Sequence, residues 1–70
     1  MTTNDKITTL LDRREAAEAA YAQEIKAAHQ RGASHCHISA LEQDLGLIVF
    51  DINRELKGLF SELKKEQANG

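Results

Sequence analysis

Proline and tryptophan are absent from this chain, and cysteine, glycine and aromatic residues are scarce. Its 70 residues include one cysteine, four glycines, one tyrosine and two phenylalanines. The single cysteine, Cys36, excludes an internal disulfide and favours a reducing cytoplasmic compartment. Because proline and clustered glycines are the strongest breakers of regular structure, their absence predicts a few long, uninterrupted elements.

A surplus of positive charge and a long apolar run are missing as well. Nine Lys and Arg against eleven Asp and Glu give a net charge of −2, so no basic field points to nucleic acid or to an anionic membrane. No apolar run approaches the roughly 20 residues that span a bilayer, and residues 1–6 lack the basic and apolar regions of a signal peptide.

With 41% apolar residues, the chain is too hydrophobic for disorder. We expect one small cytoplasmic domain over residues 1–70.

Strong helix formers dominate what is present, among them alanine, glutamate, lysine and leucine. In the first half, apolar residues recur every three or four positions and predict a helix over about residues 5–31. Asn4 or Thr3 is the expected N-terminal cap, and Gly32 suits the position after the C-terminus. The apolar stripe is Ile7, Leu10, Leu11, Ala17, Tyr21, Ile25 and Ala28.

The second half carries the clearest periodicity. Residues 32–38 lack an apolar period and predict the connection, after which Ser39 and Glu42 fit a capping box, with Ser34 as a competing cap. A second helix is predicted over about residues 39–66. Its stripe is Ile38, Leu41, Leu45, Ile48, Val49, Ile52, Leu56, Leu59, Phe60 and Leu63. Two long helices with a short connection lie antiparallel, so the predicted fold class is all-α, a two-helix hairpin.

The two helices are unequal in apolar surface. The first is rich in alanine and offers few large apolar side chains, so it cannot cover the second. Small scaffolds without a disulfide or a metal usually need oligomerisation to complete a core. We therefore predict a homodimer that resembles a four-helix bundle. The residues expected in its core or dimer interface are Ile7, Leu10, Tyr21, Ile25, Leu41, Leu45, Ile48, Ile52, Leu56, Leu59 and Leu63.

Candidate partner-binding residues deviate from these stripes. Leu47 and Phe50 fall off the main stripe, close to Arg54, and indicate either a wide dimer interface or an exposed hot spot with an aromatic anchor. Arg14 and Glu18 interrupt the first stripe four residues apart. They indicate an ion pair at the bundle edge, or else a polar register lock or a second partner contact.

The sequence carries little that predicts catalysis or metal binding. His29, His35, Cys36 and His37 are all possible metal ligands, but their spacing matches no zinc-finger pattern, and a polar loop at helix ends is the simpler interpretation. A Cys–His nucleophile would need a pocket and an orienting residue, and neither is evident. Phosphate loops and nucleophile elbows are absent. We expect a protein that is not an enzyme and that holds no metal or cofactor.

Residues 38–57 resemble the helix-turn-helix of winged-helix repressors, a likeness that implies DNA binding. Leu41, Leu45, Gly46 and Leu47 match its core and turn positions, and so do Ile52 and Leu56. Glu42 departs from the motif, which has a small residue there, and residues 48–50 replace the polar start of a recognition helix. The uninterrupted apolar repeat through Gly46 favours one continuous helix instead.

Two groups of small helical-hairpin proteins also resemble this chain. The start Met-Thr-Thr-Asn-Asp, the length and the apolar-rich second helix resemble phage-encoded anti-activators that block a quorum-sensing transcription factor. The junction at residues 29–33, followed by Leu41 and Glu42, resembles co-chaperones of type III secretion needle subunits. The first resemblance implies a homodimeric inhibitor that occludes a host regulatory protein, and the second implies a heterodimer partner.

Overall fold

The computed structural model describes residues 2–69, with the side chains of residues 2–68. Within that range the chain forms two helices, α1 (Thr3–Gln30) and α2 (His35–Asn69), and no strand. Thr3 Oγ1 donates to Glu66 Oε1 at 2.8 Å, and Arg14 Nη1 donates to Asn53 Oδ1 at 2.6 Å. Residue numbers therefore rise along one helix as they fall along the other, so the helices pack antiparallel. The prediction of an all-helical, two-helix chain is confirmed.

A capping box starts α1 two residues earlier than the sequence pattern indicated. Thr2 Oγ1 accepts a hydrogen bond from the Asp5 amide at 3.1 Å, and Asp5 Oδ2 accepts one from the Thr2 amide at 3.3 Å. The expected caps, Asn4 and Thr3, are wrong because only Thr2 has an acidic residue three positions further on that can return the hydrogen bond.

The connection is shorter than the predicted residues 32–38. Gly32 adopts a positive φ of 71° after the last residues of α1, and the Ala33 amide donates to the Ala28 carbonyl at 2.9 Å. Ser34 Oγ then accepts from the His37 amide at 3.2 Å and starts α2 at His35. The start predicted at Ser39 is therefore wrong, because the competing cap Ser34 forms. At its other end α2 continues past residue 66 to Asn69.

The core is a single seam between the helices. Its buried cluster comprises Ile7 and Leu10 from α1 with Ile52 and Leu56 from α2, and Ile48, Leu59 and Leu63 pack against it half-buried. Near the connection, Ala28 and Ile38 are also buried. Among the side chains named for the core or dimer, the remaining four are half-buried. These are Tyr21, Ile25, Leu41 and Leu45.

The hairpin is narrow, so much of its surface stays in solvent. Its Cα atoms span 56 × 16 × 13 Å, and the accessible surface is 5374 Å². The usual relation between surface and mass gives about 4,400 Å² for a folded chain of 7.8 kDa. The surplus of about 1,000 Å² is similar to the ~800 Å² that one partner contributes to a standard protein interface.

Removing the centre of the seam should destabilise the fold. Leu56 is 3% exposed, so Leu56→Ala should lower the free energy of unfolding by about 2–4 kcal/mol through lost burial and a residual cavity. Urea unfolding followed by circular dichroism measures the change. The control Leu47→Ala removes an exposed side chain and should shift stability by about 0.5 kcal/mol or less. Equal effects of the two variants would contradict the proposed seam.

Two glycines should respond oppositely to alanine. A Cβ at Gly58 would meet no atom within 4 Å, so Gly58→Ala should stabilise α2 by about 0.5–1 kcal/mol. Gly32→Ala should destabilise the chain by about 1–2 kcal/mol, since its left-handed backbone conformation disfavours a Cβ. Thermal unfolding of the two variants tests the pair, and a loss of stability in Gly58→Ala would show that residue 58 is not an open helical position.

Candidate protein-binding surfaces

The outer side of α2 carries an exposed apolar pair and a cation. Leu47 is 66% exposed and Phe50 is 62% exposed. Residues on a helix turn by about 100° each, so Leu47, Phe50 and Arg54 fall within about 60° of one another, on the side facing away from α1. We call these three residues the outer α2 patch. The sequence singled out all three, and α2 brings them together.

A continuous helix carries the outer α2 patch. Gly46, immediately before it, is helical and leaves open space beside Leu47. Asp44 and Asp51 flank one side of the patch by helical position. An aromatic residue, an aliphatic residue and an arginine on a fixed helix form a composition typical of binding hot spots. The arrangement can bury apolar surface and offer one bidentate donor to a carboxylate.

Arg14 and Glu18 lie elsewhere, on the side of the seam. Arg14 is half-buried and donates to Asn53 across the hairpin, while its Nε lies 3.8 Å from Glu18 Oε1. Arg14 is thus held between α1 and α2, and this pair does not join the outer α2 patch. Sequence reasoning did not identify Asn53 as a partner. The one feature of the sequence that points to Asn53 is its position next to the stripe residue Ile52. That it lies opposite Arg14 follows only from the register between the two helices.

Exposed apolar side chains also lie on one broad face of the hairpin. Phe60 is 50% exposed and lines an open groove of about 540 Å³ together with Leu56. Arg14, Lys57 and Lys64 also line this groove, and no carboxylate does. By helical position, the exposed Leu11 and the half-buried Ile25 and Val49 lie on the same side. We call this surface the Phe60 face.

The opposite broad face carries charges of both signs around an apolar groove. Its groove of about 400 Å³ is lined by both signs of charge, with Lys6 and Arg13 from α1 and Glu55 and Glu62 from α2. Leu10 and Leu59 form its apolar floor. The two grooves therefore differ in their charge, and the exposed side chains of Leu11 and Phe60 lie on the side of the Phe60 face.

The histidines and the cysteine lie at the connection. His29 is in the last turn of α1, and His35, Cys36 and His37 form the first turn of α2, all of them exposed. These three are thus helical and do not form the loop that the sequence predicted. Across residues 2–69, no three His, Cys, Asp or Glu side chains are grouped so that they could hold a metal ion.

The resemblance to helix-turn-helix proteins requires a turn after Leu45. In the structure α2 runs without interruption from His35 to Asn69, through Gly46 and Leu47. The continuous-helix alternative therefore describes this segment, and the sequence match to a helix-turn-helix does not extend to its geometry.

Comparison of the chain with protein-family models, curated proteins and solved structures finds no match. In the described part of the chain, neither helix has an apolar stretch long enough to cross a membrane.

The two contacts of Arg14 should differ in strength. A double-mutant cycle of Arg14→Ala and Asn53→Ala should give a coupling of about 0.5–1 kcal/mol, since the hydrogen bond is short and half-shielded. The matched cycle of Arg14→Ala and Glu18→Ala should give less, about 0.3 kcal/mol, because that pair is longer and more exposed. Urea unfolding measures both cycles. A larger coupling to Glu18 would contradict the geometry of this contact.

Proposed function

We propose that this chain is a small protein-binding module that acts as a homodimer and occludes a functional surface of another protein. The observation that carries the proposal is the outer α2 patch, where two large apolar side chains are mostly exposed on one continuous helix. Large exposed apolar patches mark protein contact sites, and Leu47 and Phe50 are the most exposed large apolar side chains among the described residues. The proposed action is steric and needs no reacting group.

The outer α2 patch suits a partner with a shallow apolar pocket. Phe50 is the proposed anchor because an aromatic ring buries a large area at low entropic cost. Leu47 lies one turn before it and widens the contact. Arg54 lies one turn after it and can pair with a carboxylate at the rim, which fixes the orientation of the partner.

The proposed target is a host regulatory protein such as a transcription factor. This choice rests on the resemblance to phage-encoded anti-activators in length, N-terminal residues and two-helix plan. A secretion co-chaperone is the second candidate, and the observation that favours it is the unpartnered Phe60 face. That face could accept the helix of a second small protein, as a heterodimer partner requires.

Loss of Phe50 should strongly weaken target binding. Wild type, Phe50→Ala and Arg54→Ala are immobilised and exposed to nuclease-treated bacterial lysate, and captured proteins are quantified by mass spectrometry. A target bound through the outer α2 patch should be retained by wild type and weakened at least about 30-fold by Phe50→Ala, the effect expected of a hot-spot residue. Arg54→Ala should weaken it less.

The matched control is Gln23→Ala, which shortens an exposed side chain of α1 and should leave capture unchanged. Circular dichroism and molecular mass must show that each variant keeps its helicity and its oligomeric state. Equal capture by wild type and Phe50→Ala would refute the assigned surface. A loss of the dimer in Phe50→Ala would instead assign Phe50 to the dimer interface.

A further inference from the structure

We propose that the outer α2 patch binds an acidic segment of its partner protein, an amphipathic helix whose carboxylates flank its apolar side chains. The inference rests on the proposed function and adds the chemistry of the partner. The feature that carries it is a row of cations that continues the outer α2 patch towards the C-terminus of α2.

Four exposed cations lie on one side of α2. At 100° per residue they fall within an arc of about 100°, which also contains Leu47 and Phe50. We call these four residues the basic row, and they are Arg54, Lys57, Lys64 and Lys65. From Leu47 to Lys65 the combined surface extends about 27 Å along the helix at 1.5 Å per residue.

The acidic residues of α2 are separated from the basic row. From residue 44 onwards, the described carboxylates collect on a second arc that begins about 40° further round the helix. They are Asp44, Asp51, Glu55, Glu62 and Glu66. Glu42 departs from this arc, but it lies about 18 Å before the start of the basic row. The two open grooves beside the basic row are lined by cations and by no carboxylate.

The hairpin does not neutralise the basic row. Among the described side chains, the one ion pair within 4 Å joins Arg14 and Glu18 of α1. The register set by Arg14 and Asn53 places Glu15 and Glu18 level with about residues 49–52 of α2, before the basic row begins. Its cations are therefore free to pair with the carboxylates of another molecule.

The helix dipole explains only part of this arrangement. Cations are favoured near the negative C-terminal end of a helix, within its last turn or so. Lys64 and Lys65 lie close to that end, which is at Asn69. Arg54 and Lys57 lie three to four turns before it, where the dipole no longer favours a cation. Their alignment with the exposed apolar pair points to a binding role instead.

The neighbouring acidic arc favours a narrow partner over a broad anionic surface. A lipid bilayer or a nucleic acid would also approach Asp51 and Glu62, which lie about 40–60° from the edge of the basic row, and like charges oppose binding. A single helix is about 10 Å wide and can lie along the basic row alone. Phe50 then enters the hollow between apolar side chains of the facing helix, while its carboxylates meet the cations.

The test measures binding of a labelled helical peptide of about 18 residues, which matches the length of the surface. The peptide carries leucine and phenylalanine at three- and four-residue spacing, with glutamates on both flanks. Fluorescence anisotropy compares it with the same peptide in which every glutamate is glutamine. We expect the glutamate peptide to bind wild type at least about tenfold more tightly at low salt, and we expect this advantage to shrink as salt is added.

Two double variants assign the charge effect to the basic row. Lys57→Gln/Lys64→Gln should weaken binding of the glutamate peptide about three- to tenfold, because it removes two of the four cations. The matched control Lys6→Gln/Lys26→Gln changes the net charge equally, but on α1 and outside the basic row, and should change binding less than about twofold. Circular dichroism and native mass must show unchanged helicity and oligomeric state.

Failure of the glutamate peptide to bind, equal binding of the two peptides, or equal losses in the two double variants would overturn the acidic partner. Vesicles containing phosphatidylserine and duplex DNA serve as counter-probes. Binding of either that is lost in Lys57→Gln/Lys64→Gln, without binding of the glutamate peptide, would assign the basic row to a lipid or a nucleic acid and overturn the proposal.

The same variants in the lysate experiment separate this proposal from the proposed function. Capture that is lost in Phe50→Ala but kept in Lys57→Gln/Lys64→Gln would leave the outer α2 patch in place and overturn the acidic partner. Capture that is kept in Phe50→Ala would refute the outer α2 patch, whatever the peptide shows.

Discussion

A hairpin of two helices has only one seam, and every other feature of this protein depends on that constraint. One seam buries one stripe of each helix, so the core is a small cluster around Leu10, Ile52 and Leu56. No third element covers either broad face of the part of the chain that the structure describes. The chain consequently exposes more surface than its mass requires, and the placement of its remaining apolar side chains decides what it can bind.

The alanine-rich middle of α1 shapes this placement. Between Leu10 and Ala28 no residue of α1 is buried, and the facing part of α2 is half-buried at Leu41 and Leu45. Small side chains let the helices approach but cannot cover large neighbours. The apolar side chains of α2 that α1 does not cover therefore contribute to two surfaces, the outer α2 patch and the Phe60 face. The two surfaces are separate and lie on different sides of the hairpin.

The sequence predicted the helical class and most of the inward positions because apolar periodicity directly reports which side of a helix is covered. The sequence was a less accurate guide to the residues at which each helix begins. Ser34 and Ser39 both carry capping signals, and only the three-dimensional path of the chain after Gly32 decides between them. Thr2 was missed because its capping depends on a reciprocal bond to Asp5. The contact of Arg14 with Asn53 depends on the register between the helices, which periodicity alone does not determine.

Surfaces proved harder to predict than the seam. Leu11 and Phe60 belong to the apolar stripes, yet both remain exposed, since each stripe is wider than the single seam can cover. Leu47 and Phe50 could be recognised from their position opposite the stripe.

The claim that the hairpin completes its core by association is tested most directly by thermal unfolding of the unaltered protein over a wide range of concentrations. Binding of native chains to one another stabilises them by mass action. We expect the midpoint temperature to rise steadily with protein concentration. A midpoint that does not change with concentration, together with a monomeric mass throughout, would contradict the claim.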